Sequence, residues 1–237
     1  MKLNSKLSIL IISAVTSLTA TSCMIGTATS KNEATSIYDV ETSYKSLSVR
    51  SAIKVEYRHD IDKLQIIADS SILSKIKVNY DEDDIEIYAS SFKSPFKVTA
   101  LVPASKELES IEIEGASSFS SDKEIEAEKL DIEVSGASKF DANINCQSLK
   151  ASVSGASFAS IGGKAVNAKI NVSGASKLSS ENLNTDYADI DISGASKAEI
   201  ICNKNITGNV SGASKLSFGG TAKSDVSTSG ASKVSRK

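Results

Sequence analysis

Few residues of this chain have both the type and the spacing for chemistry. It holds one histidine, His59, and three cysteines, Cys23, Cys146 and Cys202. One imidazole and no Cys-x-x-Cys pair leave no zinc set of the usual kind. His59 stands in Arg58-His59-Asp60, which reads as an exposed polar turn and not as a catalytic base. No Gly-x-Ser-x-Gly elbow and no phosphate-binding loop occur. Asp81-Glu82-Asp83-Asp84 gathers four acids but lacks the spaced ligands and central glycine of an EF-hand loop, so it reads as a solvated hairpin turn. Asp122, Asp131, Asp141 and Asp191 form no ladder. A polysaccharide lyase or hydrolase built on stacked strands needs clustered acids and bases in a groove, often with calcium. The expectation is a protein with no catalytic residues, no metal and no cofactor.

What does recur is lysine. The tripeptide Gly-Ala-Ser occurs seven times, and Lys139, Lys177, Lys197, Lys215 and Lys233 each follow one copy. The last four follow consecutive copies. Their functional reading is a linear cationic strip for an anionic partner, such as an acidic glycan or a lipid headgroup. Their plainer reading is a row of solvated charges that discourages aggregation, a common use of lysine on β edges. The plainer reading has the stronger physical precedent.

These lysines are positioned by the repeat itself. Its glycines are Gly115, Gly136, Gly155, Gly174, Gly194, Gly212 and Gly230, at intervals of 21, 19, 19, 20, 18 and 18. Serine precedes every one except Gly115, which follows Glu114. Four and two residues before the glycines stand Ile111 and Ile113, Ile132 and Val134, Ala151 and Val153, Ile170 and Val172, Ile190 and Ile192. The pattern weakens at Gly208 and Val210, then at Val226 and Thr228. Four residues after come Phe119, Phe140, Ala159, Leu178, Ala198, Leu216 and Val234. A spacing of two is the strand period, and β-branched residues favour strands. A unit of this length cannot bury its own apolar face, but stacked units can, through parallel ladders about 4.8 Å apart. Seven coils make a rod about 29 Å long. The small Ser-Gly-Ala-Ser segments then stack as a corner, with glycine supplying the unusual backbone angles. Cys146 and Cys202 fall three coils apart, about 14 Å, too far for the about 7 Å that a disulfide spans. Two buried, unpaired thiols are expected.

Residues 37–110 show shorter alternating runs: Leu47–Val49, Ile53–Tyr57, Leu64–Ile66, Ile76–Tyr80, Ile85–Tyr88 and Phe96–Val102. They read as short strands separated by polar turns. Before them lies an export signal. Lys2 and Lys6 precede a short apolar run, Leu7–Ala20, and then Ala20-Thr21-Ser22-Cys23. The run is too short for a comfortable membrane span and carries signal-peptide flanks. Small residues before a cysteine resemble a lipobox of the relaxed Bacteroidetes kind, which makes Cys23 the lipidated first residue of the mature protein. Without residues 1–22 the chain carries 25 basic and 29 acidic side chains, net −4, which does not suggest nucleic acid as a partner. The reading is 1–22 signal peptide, 23–36 flexible polar tether, 37–110 N-terminal β portion and 111–237 repeat solenoid. The tether lacks the acidic run that often follows the cysteine of surface-exported lipoproteins, which leaves both membrane faces open.

Tyr44 to Ala89, "YKSLSVRSAIKVEYRHDIDKLQIIADSSILSKIKVNYDEDDIEIYA", resembles the opening of the putative autotransporter adhesin head GIN domain family. Leu108-Glu109-Ser110-Ile111, leading to Gly115-Ala116-Ser117, and the later Ser-Gly-Ala-Ser copies match that family's order, over residues 40–235. The resemblance implies an all-β, right-handed parallel β-helix-like solenoid with coils of about 19 residues, the N-terminal β portion continuous with it, in a bacterial envelope protein. It supplies no catalytic residues. Against the family's more regular period, the first interval of 21 residues points to a loop insertion around Ser121 to Glu124.

The expected function is a non-catalytic, lipid-anchored protein of the cell envelope, of the outer membrane by preference, that presents a β surface for binding or adhesion. The alternatives are a structural or regulatory envelope protein acting through strand-edge contacts and, behind it, a polysaccharide-degrading β-helix enzyme. The last repeat ends shortly before Lys237 with no capping segment, which raises the expectation of a homo-oligomer or an envelope protein paired at that edge.

Overall fold

The computed structural model of the chain describes residues 32–81, 83–90 and 97–237. The signal segment and Cys23 lie outside the described residues. The chain is an all-β solenoid of about seven turns with coils of roughly 19 residues, plus an N-terminal strand portion. All 17 strands of the described residues join one sheet, so the N-terminal portion is continuous with the repeats.

The N-terminal strands are β1 (Glu33–Tyr38), β2 (Ser46–Val49), β3 (Lys54–Arg58), β4 (Leu64–Asp69), β5 (Ile76–Tyr80), β6 (Asp84–Ala89) and β7 (Thr99–Pro103). The repeats contribute β8 (Ser110–Ile113), β9 (Ser118–Ser121), β10 (Ile125–Val134), β11 (Lys139–Val153), β12 (Phe158–Val172), β13 (Lys177–Ile192), β14 (Lys197–Val210), β15 (Lys215–Gly219), β16 (Lys223–Thr228) and β17 (Lys233–Arg236). The extra length of the first repeat interval falls at the bend of residues 122–124 between β9 and β10.

Alternation is strict over the first half of β11 and is interrupted in β12 and β13. β11 reads exposed and buried in turn from Lys139 to Cys146, so every second side chain enters the core. The column Ile113, Val134, Val153, Val172, Ile192 and Val210 is buried throughout. Across the corner, Phe119 and Phe140 stack with centroids 4.9 Å apart and planes within 3°, and Ala159, Leu178, Ala198 and Leu216 complete the buried column.

The corner is built as the sequence suggests. All seven repeat glycines take φ between +70° and +80°, a region that side chains rarely enter. A Cβ on Gly174 would also fall 2.5 Å from the Gly155 carbonyl oxygen. The N–H groups of Ala137, Ala156, Ala175, Ala195 and Ala213 each donate to the preceding corner's glycine carbonyl, as from Ala137 to Gly115 at 2.7 Å. The serine after alanine turns inward: Ser117, Ser138, Ser157, Ser176, Ser196 and Ser214 are all buried. All of their hydroxyls but that of Ser138, which is buried without a partner among the described residues, bond the corner backbone. Ser138 N–H donates to Ser157 Oγ at 3.2 Å, and Ser214 Oγ–H donates to the Gly194 carbonyl at 3.2 Å.

Two features depart from a simple stack. First, the coils are not stacked in chain order. β2 pairs in parallel with β6 on one side and β8 on the other, and β3 lies between β7 and β9. The β2–β3 coil is therefore inserted between two later coils. The chain from β7 to β8 must cross it, and buried hydrogen bonds fix the crossing. Tyr44 O–H donates to the Pro103 carbonyl at 2.7 Å, and Ser105 Oγ–H to the Tyr44 carbonyl at 2.5 Å. Second, the inserted coil has a corner without glycine. Its register sets Val49 against Ile113 and Lys54 against Ser118, which puts Ser51 and Ala52 opposite Gly115 and Ala116. Both take positive φ, 79° and 60°, at a cost of about 1–2 kcal/mol each.

The N-terminal end is closed by antiparallel strands. β4 pairs with β7, β1 with β4, and β5 with β6. The acidic turn between β5 and β6 is a hairpin, held by Asp81 N–H to Asp84 carbonyl at 3.0 Å and its reciprocal at 3.3 Å. Residues 33–36, assigned by composition to the tether, belong instead to β1. β1 is an edge strand whose backbone finds partners on β4; of residues 33–36 only the small Ser36 is buried, so composition alone gives no apolar signal.

Candidate binding surface

In-register parallel pairing brings the sequence-predicted lysines into one column. Lys177 faces Lys197, Lys197 faces Lys215, and Lys215 faces Lys233. Lys139 belongs to the same column but is separated from Lys177 by Phe158. Beside the column runs the flat ribbon of exposed corner glycines and alanines. Two unit charges one coil apart repel by about 1 kcal/mol in water, so the strip is tolerated. It is also partly balanced. Glu199 accepts from Lys197 at 2.7 Å. That hydrogen bond, with the charges of Lys197, Lys177 and Lys215, holds the carboxyl below its ordinary value against the opposing effect of burial. Lys177 sits over the Phe158 ring at 5.6 Å.

The remaining candidates fall elsewhere. Cys146 and Cys202 are both buried and form no disulfide, and burial pushes the Cys146 thiol up to about 11. Among the described residues no group of three or more His, Cys, Asp or Glu could hold a metal ion. His59 is exposed as a residue, but its ring is held. Nδ1 lies 2.5 Å from Asp122 Oδ1, and its backbone N–H donates to Asp122 Oδ2 at 3.2 Å. Burial would raise the Asp122 carboxyl, but these bonds and the Arg58 charge outweigh it and hold it low. Of this His59–Asp122 pair, His59 lines a cleft of about 670 Å³ together with Lys106, Lys123, Glu124 and Glu126. Sequence reasoning missed the pair because its two members are 63 residues apart.

A second surface gave no sequence signal. Tyr187 is the one large apolar side chain exposed among the described residues, at 45%. On its sheet face it is in register with Asn167 in the preceding coil and Asn205 in the next.

Residues 43–222 match the model of a family described as "Putative auto-transporter adhesin, head GIN domain". No curated protein matches the chain. Solved structures do. A putative adhesin from Bacteroides fragilis superposes with a TM-score of 0.79 at 20% identity, covering 88% of this chain and 98% of its own. A putative lipid binding protein from Parabacteroides distasonis gives 0.67 at 16% identity, over 87% and 97%. A putative adhesin from the same species gives 0.69 at 15% identity, over 87% and 97%. At these identities the likeness is one of fold.

Proposed function

Because the chain belongs to the putative auto-transporter adhesin head GIN domain family, we propose that it is a non-catalytic adhesin of the cell envelope that presents its solenoid surface for binding. The family description suggests an envelope or surface location. A signal segment ending in Ala20-Thr21-Ser22-Cys23 supports lipid anchoring through Cys23.

The observation that carries the reading is the column Lys177, Lys197, Lys215 and Lys233, one ammonium per coil beside a ribbon of Gly and Ala. A strip of evenly pitched cations with no bulk beside it suits a linear polyanion lying along the rod, and an acidic glycan is the partner proposed. Each contact is weak in water, but several in register add through one chain.

The test is binding of polygalacturonate to the chain and to its Lys177→Glu, Lys197→Glu, Lys215→Glu triple variant. The reading expects salt-sensitive binding that the triple variant loses. Equal binding by both proteins refutes the strip, and binding to anionic vesicles alone moves the partner to lipid headgroups. Palmitate labelling lost in Cys23→Ala would support the anchor. Protease shaving of intact cells then separates the two membrane faces: digestion favours adhesion, and protection favours a periplasmic partner.

A further inference from the structure

We infer that the face around Tyr187 is a second binding site, for a neutral saccharide. The position is shaped by a local irregularity. Between Thr185 and Tyr187 the pairing of β13 with β14 slips: Thr185 faces Cys202, but Tyr187 faces Asn205. β14 carries one extra residue there, a bulge of the kind that re-aims a side chain. The bulge sets Lys204 with its ammonium 5.3 Å above the Tyr187 ring and 2.8 Å from Asp186. The slip is held from beneath by the buried Cys202 thiol, whose single S–H lies between the Asp186 carbonyl at 3.3 Å and the Asn205 carbonyl at 3.2 Å. The ring is thus propped by a cation on an outer face.

The surroundings select the ligand class. Asn167 and Asn205 flank Tyr187 in the same column, one coil to either side. A carboxamide carries both donors and acceptors, the combination that matches sugar hydroxyls, while an aromatic face accepts the apolar C–H face of a sugar ring. Lys204 and Asp186 cancel one another beside the ring, so the charge at Tyr187 itself gives no preference for an anion; the nearest further charge in the column is Lys223, which faces Asn205 one coil on. A protein partner fits less well. Protein interfaces join several aromatic and aliphatic anchors over hundreds of Å², and here a single ring stands exposed among the described residues. The amides align along the rod axis, so a linear neutral glycan would lie parallel to the rod.

This site is independent of the lysine strip, and the experiment separates the two. Saturation-transfer NMR is recorded on the whole chain with neutral hexasaccharides of glucose, xylose and mannose. Transfer to at least one of them is expected. Tyr187→Ala should weaken it at least tenfold, and Asn205→Ala severalfold. Lys177→Glu, Lys197→Glu and Lys215→Glu together should leave it unchanged. Absence of transfer from all three sugars overturns the inference, as does equal binding by Tyr187→Ala. Tyr187 is exposed, so its replacement leaves the core intact.

Discussion

The phenol of Tyr57 holds Ser105 from both sides. It accepts from the Ser105 N–H at 2.7 Å and donates to the Ser105 carbonyl at 3.2 Å. This double contact pins the crossing that carries the chain over the inserted β2–β3 coil. Tyr57→Phe removes both bonds and leaves a buried amide without its partner, which costs about 1–3 kcal/mol. Urea unfolding followed by circular dichroism should show the midpoint falling with an unchanged slope. An unchanged midpoint would mean that the crossing is held without the phenol.

The same phenols make the fold sensitive to alkali. Burial raises the Tyr57 hydroxyl, opposed in part by the Ser105 hydrogen bond. Burial, with the neighbouring Tyr57, raises Tyr44 further. A raised folded-state value means that the stabilisation is complete below the ordinary phenol value of about 10 and is lost as the pH climbs through the folded values. Absorbance at 295 nm should therefore show these two tyrosines titrating late and together with loss of the circular dichroism signal. Smooth titration of every tyrosine near pH 10 before any unfolding would contradict their burial.

The corner makes opposite predictions at two sites. Gly174→Ala forces a side chain into a positive-φ position and against the Gly155 carbonyl, and should cost about 2 kcal/mol or more. Ser51→Gly relieves the one repeat-like corner that has no glycine and should stabilise by about 0.5–1 kcal/mol, the unfolded chain's added freedom taking back part of the gain. Thermal melts of the two variants should move in opposite directions.

The two thiols of the solenoid should be inert in the folded state. The Cys146 sulfhydryl, raised to about 11, carries little thiolate at neutral pH, and Cys202 is fully buried. With Cys23→Ser as background, a thiol reagent such as DTNB should react with Cys146 and Cys202 only as fast as the protein unfolds. Rapid reaction in native buffer would show that the core opens locally at those coils.

Residues 111–237 were legible because each coil repeats one local rule: an apolar pair, a glycine corner and an apolar residue at fixed distances. The lysine column followed from that register. The N-terminal portion was legible as strands but not as a stack. Val49 is bordered by Ile87 and Ile113, and nothing in these similar apolar residues says that the earlier strand lies between the two later ones. Ser51 and Ala52 hide a corner because it lacks the glycine that marks the others. β1 was hidden by its polar composition, and the His59–Asp122 pair by its sequence separation. Tyr187 looked like any strand residue, since its prominence comes from a bulge that forms only when β13 and β14 pair.

The inserted coil gives the rod unequal ends under load. A pull from the C-terminal side meets β17 and β16, each bound in parallel to a single neighbouring strand, and can peel the stack coil by coil. A pull from the N-terminal side first strips β1 from β4, then reaches a coil clamped by ladders on both sides and crossed by the Ser105 segment. That coil cannot leave without breaking two ladders at once, so force applied at the N-terminal side is resisted by the interior of the molecule and not by its edge.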